Sequence, residues 1–328
     1  MSEEDVLLTV SQKKSLADFY VHRELGSGSY SNVYYATAKS DGKKYALKVC
    51  DKHRILREKK TKAVFREKDA LMQLSTAEKR RPFIVMLYCT FQDESSLYFV
   101  LSYAEHRDLA EKMLKQKTLD LETTKFIISE LVTAIAYCHS NGILHRDIKP
   151  GNMLIKEDFH MMLGDFGECI TIAENEKVIS SDAKRKCSFV GSHLYVSPEV
   201  LRGQGVDETC DYFAVGSILF EFVTGKAPYH DLSEHLVFQR IIKNLFSFPD
   251  DFPCPKAKSA VLEFLEPKKE NRLGSKAKNG FDGIKNHCFF EGVDWENLFN
   301  LKSPLAKYYS KTEATREEVE CDDLLKNF

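Results

Sequence analysis

The chain is expected to be an α+β protein of two segregated lobes, an antiparallel β small lobe followed by a mainly helical large lobe. Three observations predict this. The strand-type segments FYVHREL, NVYYATA and KYALKV follow one another with Gly26, Gly28 and Gly42 as turn signals between them, which is a meander and not a βαβ unit. After Ala104 the pattern turns helical, and strands first with helices afterwards is the mark of α+β segregation. The length of 328 residues allows about two domains or one large bilobed unit with a substantial core.

Residues 1–18 are polar and read as an N-terminal extension. Residues 52–74 are highly charged, yet Ile55, Leu56, Val64, Phe65, Ala70, Leu71 and Leu74 fall at helix-compatible spacing. A second hydrophobic strand pair follows, VMLYCTFQ and SLYFVLSYA, joined by the polar turn Asp93–Ser96. The small lobe is thus expected over about 19–103, with the hinge near 102–105 and the large lobe over about 105–299. In the large lobe Leu121–Ser140 reads as a buried helix, and 211–224 and 234–244 as further helices. Pro228, Pro249, Pro253, Pro255 and Pro267 punctuate the rest, and a charged tail occupies 300–328.

Composition excludes several classes. Lys+Arg is 47 and Asp+Glu is 49, and a net charge of −2 gives no global footprint for nucleic acid or an anionic membrane. The nine cysteines are irregularly spaced with no CxxC pair, so neither a disulfide framework nor a zinc module is expected. The acidic N-terminus MSEEDVLLTV lacks the apolar stretch of a signal peptide. The longest apolar run, Tyr212–Val223, is interrupted by Gly216 and Glu221 and reads as a core helix. A cytoplasmic location is the expectation.

The motifs narrow the chemistry. GSGSYSNV places Gly26, Ser27, Gly28 and Ser29 in a hairpin whose backbone N–H groups could approach phosphate oxygens, with Ser31 where a third glycine would complete G-x-G-x-x-G-x-V. On its own this also reads as an ordinary Gly/Ser turn. Lys48 in YALKV sits in an apolar strand, suited to pairing α/β-phosphates or, alone, to snorkelling from a strand edge. Glu67 on the following helix could orient that lysine, or simply belong to a solvated face.

HRDIKPGNML is far more specific. Asp147 and Asn152 stand five residues apart, as in the catalytic loop H-R-D-x-x-x-x-N. Asp147 would orient the incoming hydroxyl or take its proton, Lys149 would neutralise charge on the transferred phosphoryl group, and Asn152 would hold a second Mg²⁺. In GDFG, Asp165 would ligate the Mg²⁺ that bridges the nucleotide phosphates, and Phe166 would pack against the helix of Glu67. Glu199 in VSPEV is expected to find a buried cation, with Arg272 of ENRLG the candidate. Asp211 in DYFAVG is expected to bond the catalytic-loop backbone.

These motifs, in this order, resemble the eukaryotic protein kinases, and Lys149 two residues after Asp147 is the serine/threonine form. FQDESSLYFVLSYA, SFVGSHLYVSPEVL, VFQRIIK, FPDDFP and VDWENL narrow the resemblance to the AGC group and its phosphoinositide-dependent branch, where serine at the third loop position is usual. It extends from about Phe19 to Phe299. The resemblance implies ATP and Mg²⁺ as cofactors and protein substrates, namely AGC kinases. It implies Leu101 as gatekeeper, Ser102 and Ala104 offering backbone bonds to adenine, Val33, Ala46 and Leu154 sandwiching the ring, and Asp108 near the ribose. It implies Ser188 as an activation-loop phosphosite, with Arg146 and Arg66 receiving its phosphate. It also implies a small-lobe groove for a substrate's hydrophobic motif, lined by Lys52, Ile55, Leu56, Val64, Gln92 and Leu97, with Lys68 near the docked phosphate. The same apolar set could simply pack the helix onto the sheet.

Departures are visible too. Phe65 stands where the branch has a smaller hydroxyl residue, Ile170 where it has a lysine that helps clamp the phosphoserine, and Gly151 where Glu is usual. Residues 75–81 look like an insertion, and LLKNF at the terminus is no hydrophobic motif. The chain reaches 328 without a pleckstrin-homology domain, so recruitment through one is not expected, and a monomer is. Two other readings stay open: an AGC kinase with other substrates, and a pseudokinase scaffold, against which intact Lys48, Glu67, Asp147, Asn152 and Asp165 argue.

Overall fold

The computed structural model describes residues 14–76, 83–172 and 192–309. They fall into two compact units, the first containing 14–61 and 86–103 and the second the remainder.

The first unit is built on a five-stranded antiparallel sheet in the order β1-β2-β3-β5-β4. The strands are β1 (Phe19–Ser27), β2 (Ser31–Ala38), β3 (Lys44–Asp51), β4 (Leu87–Gln92) and β5 (Ser96–Ser102). Side chains alternate across the sheet. One face buries Ala36, Ala38, Leu47, Tyr98 and Val100 with Phe19 in an apolar cluster. Stacked rings extend it, Phe91 lying 5.9 Å from Phe19 and 4.6 Å from Tyr98. The β4–β5 turn closes through Asp93, whose Oδ1 accepts the backbone N–H of Ser96 at 2.8 Å. The glycine pattern needs one correction. Gly26 and Ser27 lie within β1, paired with Val33 and Asn32, and only Gly28 enters the turn, its N–H bonding Ser31 O at 2.7 Å.

The charged segment 52–74 is not one helix. It divides into α1 (Lys52–Arg57) and α2 (Thr61–Thr76). Arg57, Glu58, Lys59 and Lys60 offer no apolar side chain to hold a helical face, and Lys59 turns left-handed at φ 56°. Lys60 N then bonds back to Ile55 O at 2.9 Å and closes α1.

The second unit contains α2 beyond its first residue, followed by α3 (Leu109–Gln116), α4 (Leu121–Ser140), the short strands β6 (Ile143–Leu144), β7 (Met153–Ile155), β8 (Met161–Leu163) and β9 (Ile170–Thr171), then α5 (Pro198–Leu201), α6 (Thr209–Thr224), α7 (Glu234–Lys243), α8 (Pro255–Phe264) and α9 (Gly280–Lys285). Asp120 caps α4 by accepting Thr123 N–H at 3.0 Å. Helices α4 and α6 are buried along most of their length, as their near-continuous apolar sequences require. No described helix is long and apolar enough to cross a membrane.

Helix α6 packs on α8 through Gly216. A Cβ there would lie 2.7 Å from Phe264 Cβ and 2.9 Å from Leu265 Cδ2. Helix propensity favours alanine over glycine by about 1 kcal/mol, whereas overpacking a core costs about 1–3 kcal/mol. Gly216→Ala should therefore lower the thermal midpoint, and a midpoint above that of the parent would show that the two helices are not in this contact.

Candidate active site

The sheet of the first unit collects the predicted nucleotide residues on one face. Lys48 pairs with Val33 and Ala46 with Leu101, so these four lie on the face opposite the Phe19 cluster. Lys48 is only 9% exposed, which sets aside the snorkelling alternative. At the end of β1, a Cβ built on Gly26 would meet no atom within 4 Å, so the missing side chain leaves open space beside the backbone. A phosphate needs that clearance to reach the N–H groups. Ser102 is held in place, its N–H donating to Met86 O and its Oγ accepting from Met86 N, both at 3.0 Å.

In the second unit, Glu67 is 1% exposed on the buried stripe of α2 with Ala63, Val64, Ala70, Leu71 and Leu74. It is no solvated-face residue, and a carboxylate so buried demands compensation by a cation. The catalytic loop is held from below by Asp211. The two oxygens of this carboxylate accept the N–H of His145 at 3.0 Å and of Arg146 at 2.8 Å, and His139 Nε2 donates to it at 2.9 Å. Burial works to raise the Asp211 carboxyl, but the His139 hydrogen bond, the nearby histidines and the Arg146 N–H outweigh it and hold the group below the usual carboxylate range. These bonds flank Arg146, whose φ of 68° is costly for a non-glycine residue. The expected role of Asp211 is thus found in full.

The residues expected to react stand on this support. Asp147 Oδ2 accepts from Lys149 Nζ at 2.7 Å and from Asn152 Nδ2 at 3.0 Å, while Asn152 Nδ2 also donates to Asp147 O at 2.7 Å. Among the described residues no hydrogen bond falls on Asp147 Oδ1. With its amide hydrogens spent on Asp147, Asn152 has the carbonyl Oδ1 to offer a cation. Gly164 N donates to Asn152 O at 2.9 Å, and His145 Nε2 donates to Gly164 O at 3.0 Å while its Nδ1 accepts from Asp147 N at 3.3 Å. One buried imidazole therefore ties the Asp147 loop to the segment of Asp165, a link the motif pattern did not reveal. Asp165 is exposed and left-handed at φ 57°, and Phe166 beside it is fully buried with its ring edge-on to His145 at 4.7 Å.

Among the described residues no cluster of three or more His, Cys, Asp or Glu is shaped for a metal ion. Mg²⁺ takes one or two protein oxygens and completes its shell with phosphates and water. One amide oxygen on Asn152 and one carboxylate on Asp165, linked through Gly164, match that donor set.

The other predicted residues separate. Asp108 caps α3, its Oδ1 accepting Glu111 N–H at 2.9 Å, so this oxygen serves the helix first. Leu154 lies in β7, and a Cβ on Gly164 would sit 3.1 Å from its Cδ1. Glu199 and Arg272 form the expected buried pair, bidentate at 2.6 and 3.0 Å. Arg66 donates to Cys169 O at 3.4 Å. Ser188 lies outside the described residues, as do most of the 75–81 segment and the tail beyond 309. Ile170 is 2% exposed in β9 and packs in the interior.

The HRD and DFG segments, with Asp147, Lys149 and Asn152 hydrogen-bonded together, have the pattern of the protein kinase class. The protein kinase domain model matches residues 19–290, and the chain belongs to that family. It is similar to 3-phosphoinositide-dependent protein kinase 1 of Rattus norvegicus, 38% identical over 323 residues, 97% of this chain and 55% of that protein. Putative 3-phosphoinositide-dependent protein kinase 2 of Homo sapiens is 39% identical over 300 residues, 91% of this chain and 72% of that protein. Serine/threonine-protein kinase PKH2 of Saccharomyces cerevisiae is 37% identical over 289 residues, 87% of this chain and 26% of that protein. The chain spans about half the length of the first of these relatives, at 55%.

Proposed function

We propose that this chain is a serine/threonine protein kinase that transfers the γ-phosphoryl group of ATP to protein hydroxyls. The observation that carries the reading is Asp147, held through Oδ2 by Lys149 and Asn152 with Oδ1 unengaged among the described residues. Asp147 orients the substrate hydroxyl and takes its proton, and Lys149 stabilises charge on the phosphoryl oxygens. Lys48 and the Gly26–Ser29 backbone bind the nucleotide phosphates, and Val33, Ala46, Leu101 and Leu154 accept the base. Asn152 and Asp165 would hold Mg²⁺, which when bound neutralises phosphate charge.

AGC kinases are the proposed substrates, supported by the names of the relatives, 3-phosphoinositide-dependent protein kinase and serine/threonine-protein kinase. A groove for their hydrophobic motif draws on Lys52, Ile55, Leu56, Val64, Lys68, Gln92 and Leu97. Leu56 supports it with 68% exposure, while Ile55 at 4% and Val64 at 2% serve chiefly as packing. Phe65, 53% exposed, replaces a smaller residue there and should weaken docking. Ser188 is the proposed phosphosite, answered by Arg146 and Arg66.

The test is transfer of radiolabel from ATP to an activation-loop peptide of an AGC kinase and to a generic basic serine peptide. Label on the first alone is the expected result. Equal label on both would replace the substrate assignment, and label on neither, with nucleotide bound, would favour the scaffold.

A further inference from the structure

Asn152 and Asp165 stand at one end of a small two-stranded ribbon. Asn152 immediately precedes β7, and Asp165 follows β8 by two residues. The strands pair Met153 with Leu163, Leu154 with Met162 and Ile155 with Met161. The Gly164 N–H to Asn152 O bond closes the near end, and Lys156 N donates to His160 O at 2.9 Å at the far end.

That far end is gripped by one side chain. Glu130, in the middle of α4 and fully buried, bonds His160 Nδ1 through Oε1 and accepts Met161 N–H through Oε2 at 3.0 Å. The His160 ring is fixed in turn by Phe83 at 5.9 Å and Phe126 at 5.7 Å. Three to four strand residues at about 3.3 Å each place Met161 about 10–13 Å along the ribbon from Asn152 and Asp165, too far for the grip to touch a cation held by them.

A buried acid is a poor source of stability. Burial pushes the Glu130 carboxyl up, to about 7, against the hydrogen bonds of His160 and Met161. An apolar residue of similar volume is often neutral or better in such a place. What two directed bonds to consecutive residues provide, and apolar contact does not, is a defined register of the strand on the helix.

We propose that Glu130 is a positioning residue: by clamping the β7–β8 ribbon to α4 it sets where Asn152 and Asp165 present their oxygens to a divalent cation–nucleotide complex. This rests on the phosphoryl-transfer reading above. The same helix carries His139 in its last turn, which supports Asp211 and so the catalytic loop, and α4 thus references both halves of the site.

The probe is Mn²⁺ with ATP, followed by electron paramagnetic resonance, on the whole chain. Partners beyond the ligands typically hold 10–100-fold in metal affinity. Glu130→Leu should weaken Mn²⁺ binding by about 10-fold or more, and amide exchange at 161–166 should quicken while that of α6 does not. Glu130→Gln, which keeps an acceptor for Met161 N–H, should restore most of the affinity. His160→Phe, which keeps the ring stack, should show a smaller loss of the same sign. Mn²⁺ affinities of Glu130→Leu and His160→Phe within twofold of the parent would overturn the proposal, as would equal quickening of exchange in α6. A parent that binds no Mn²⁺–ATP would overturn the nucleotide reading itself, and this inference with it.

Discussion

Asp147→Asn should lose about 10²–10⁴-fold in kcat, the range a positioned acid–base group contributes. Asparagine has the same shape and keeps an oxygen for Lys149 Nζ, now 2.7 Å away, and for Asn152 Nδ2, so the loop should keep its form. What disappears is the group proposed to take the hydroxyl proton. The loss should fall on kcat with KM for ATP nearly unchanged, because Asp147 is assigned no contact with bound nucleotide. Peptide phosphorylation at saturating ATP, with a thermal melt beside it, checks this. Wild-type turnover by the variant would remove Asp147 from the mechanism, and a lost melting transition would move its role to stability.

The largest effect on stability should come from Arg272→Ala. The Arg272 side chain is completely buried. Its guanidinium meets Glu199 at 2.6 and 3.0 Å, donates to Thr209 O at 2.9 Å and to Glu266 O at 3.0 Å, and lies 5.0 Å from the Phe213 ring centroid. Truncation leaves the Glu199 carboxylate buried without its cation and two carbonyls without a donor. Breaking such a pair costs about 3–5 kcal/mol. In a protein above about 150 residues, at about 2–4 °C per kcal/mol, the thermal midpoint should fall by about 6–20 °C. Arg272→Lys keeps the charge without the planar fork and should fall between the two. A shift under 2 °C for Arg272→Ala would mean that the pair is solvated in the working protein.

Much of this site was legible because its signals are local. Asp147, Lys149 and Asn152 lie in one short loop, and their side chains meet one another directly, so spacing along the chain was already spacing in the site. The Glu199–Arg272 pair was legible for another reason. Both residues stand in otherwise structural contexts, and a buried charge needs an opposite charge.

Other features were not legible. The 52–74 run carried apolar residues at helix-compatible spacing on either side of the charged gap at 57–60, and periodicity does not say that the backbone turns there. Glu67 read alone as a surface acid because the helix around it is so charged, and only packing shows which stripe is covered. Glu130 and His160 are thirty residues apart with no motif between them, and the clamp they form exists only once β8 lies on α4.

The fold class and the kinase chemistry were readable from the sequence, because both rest on residue types at short fixed spacings. The tertiary structure alone decided how those groups are held: Asp211 beneath the loop, His145 between the two aspartates, Glu130 on the ribbon. These supports come from residues distant in sequence. A buried polar group is placed by the need to satisfy its hydrogen bonds once solvent is gone, and that need arises only when the chain has folded.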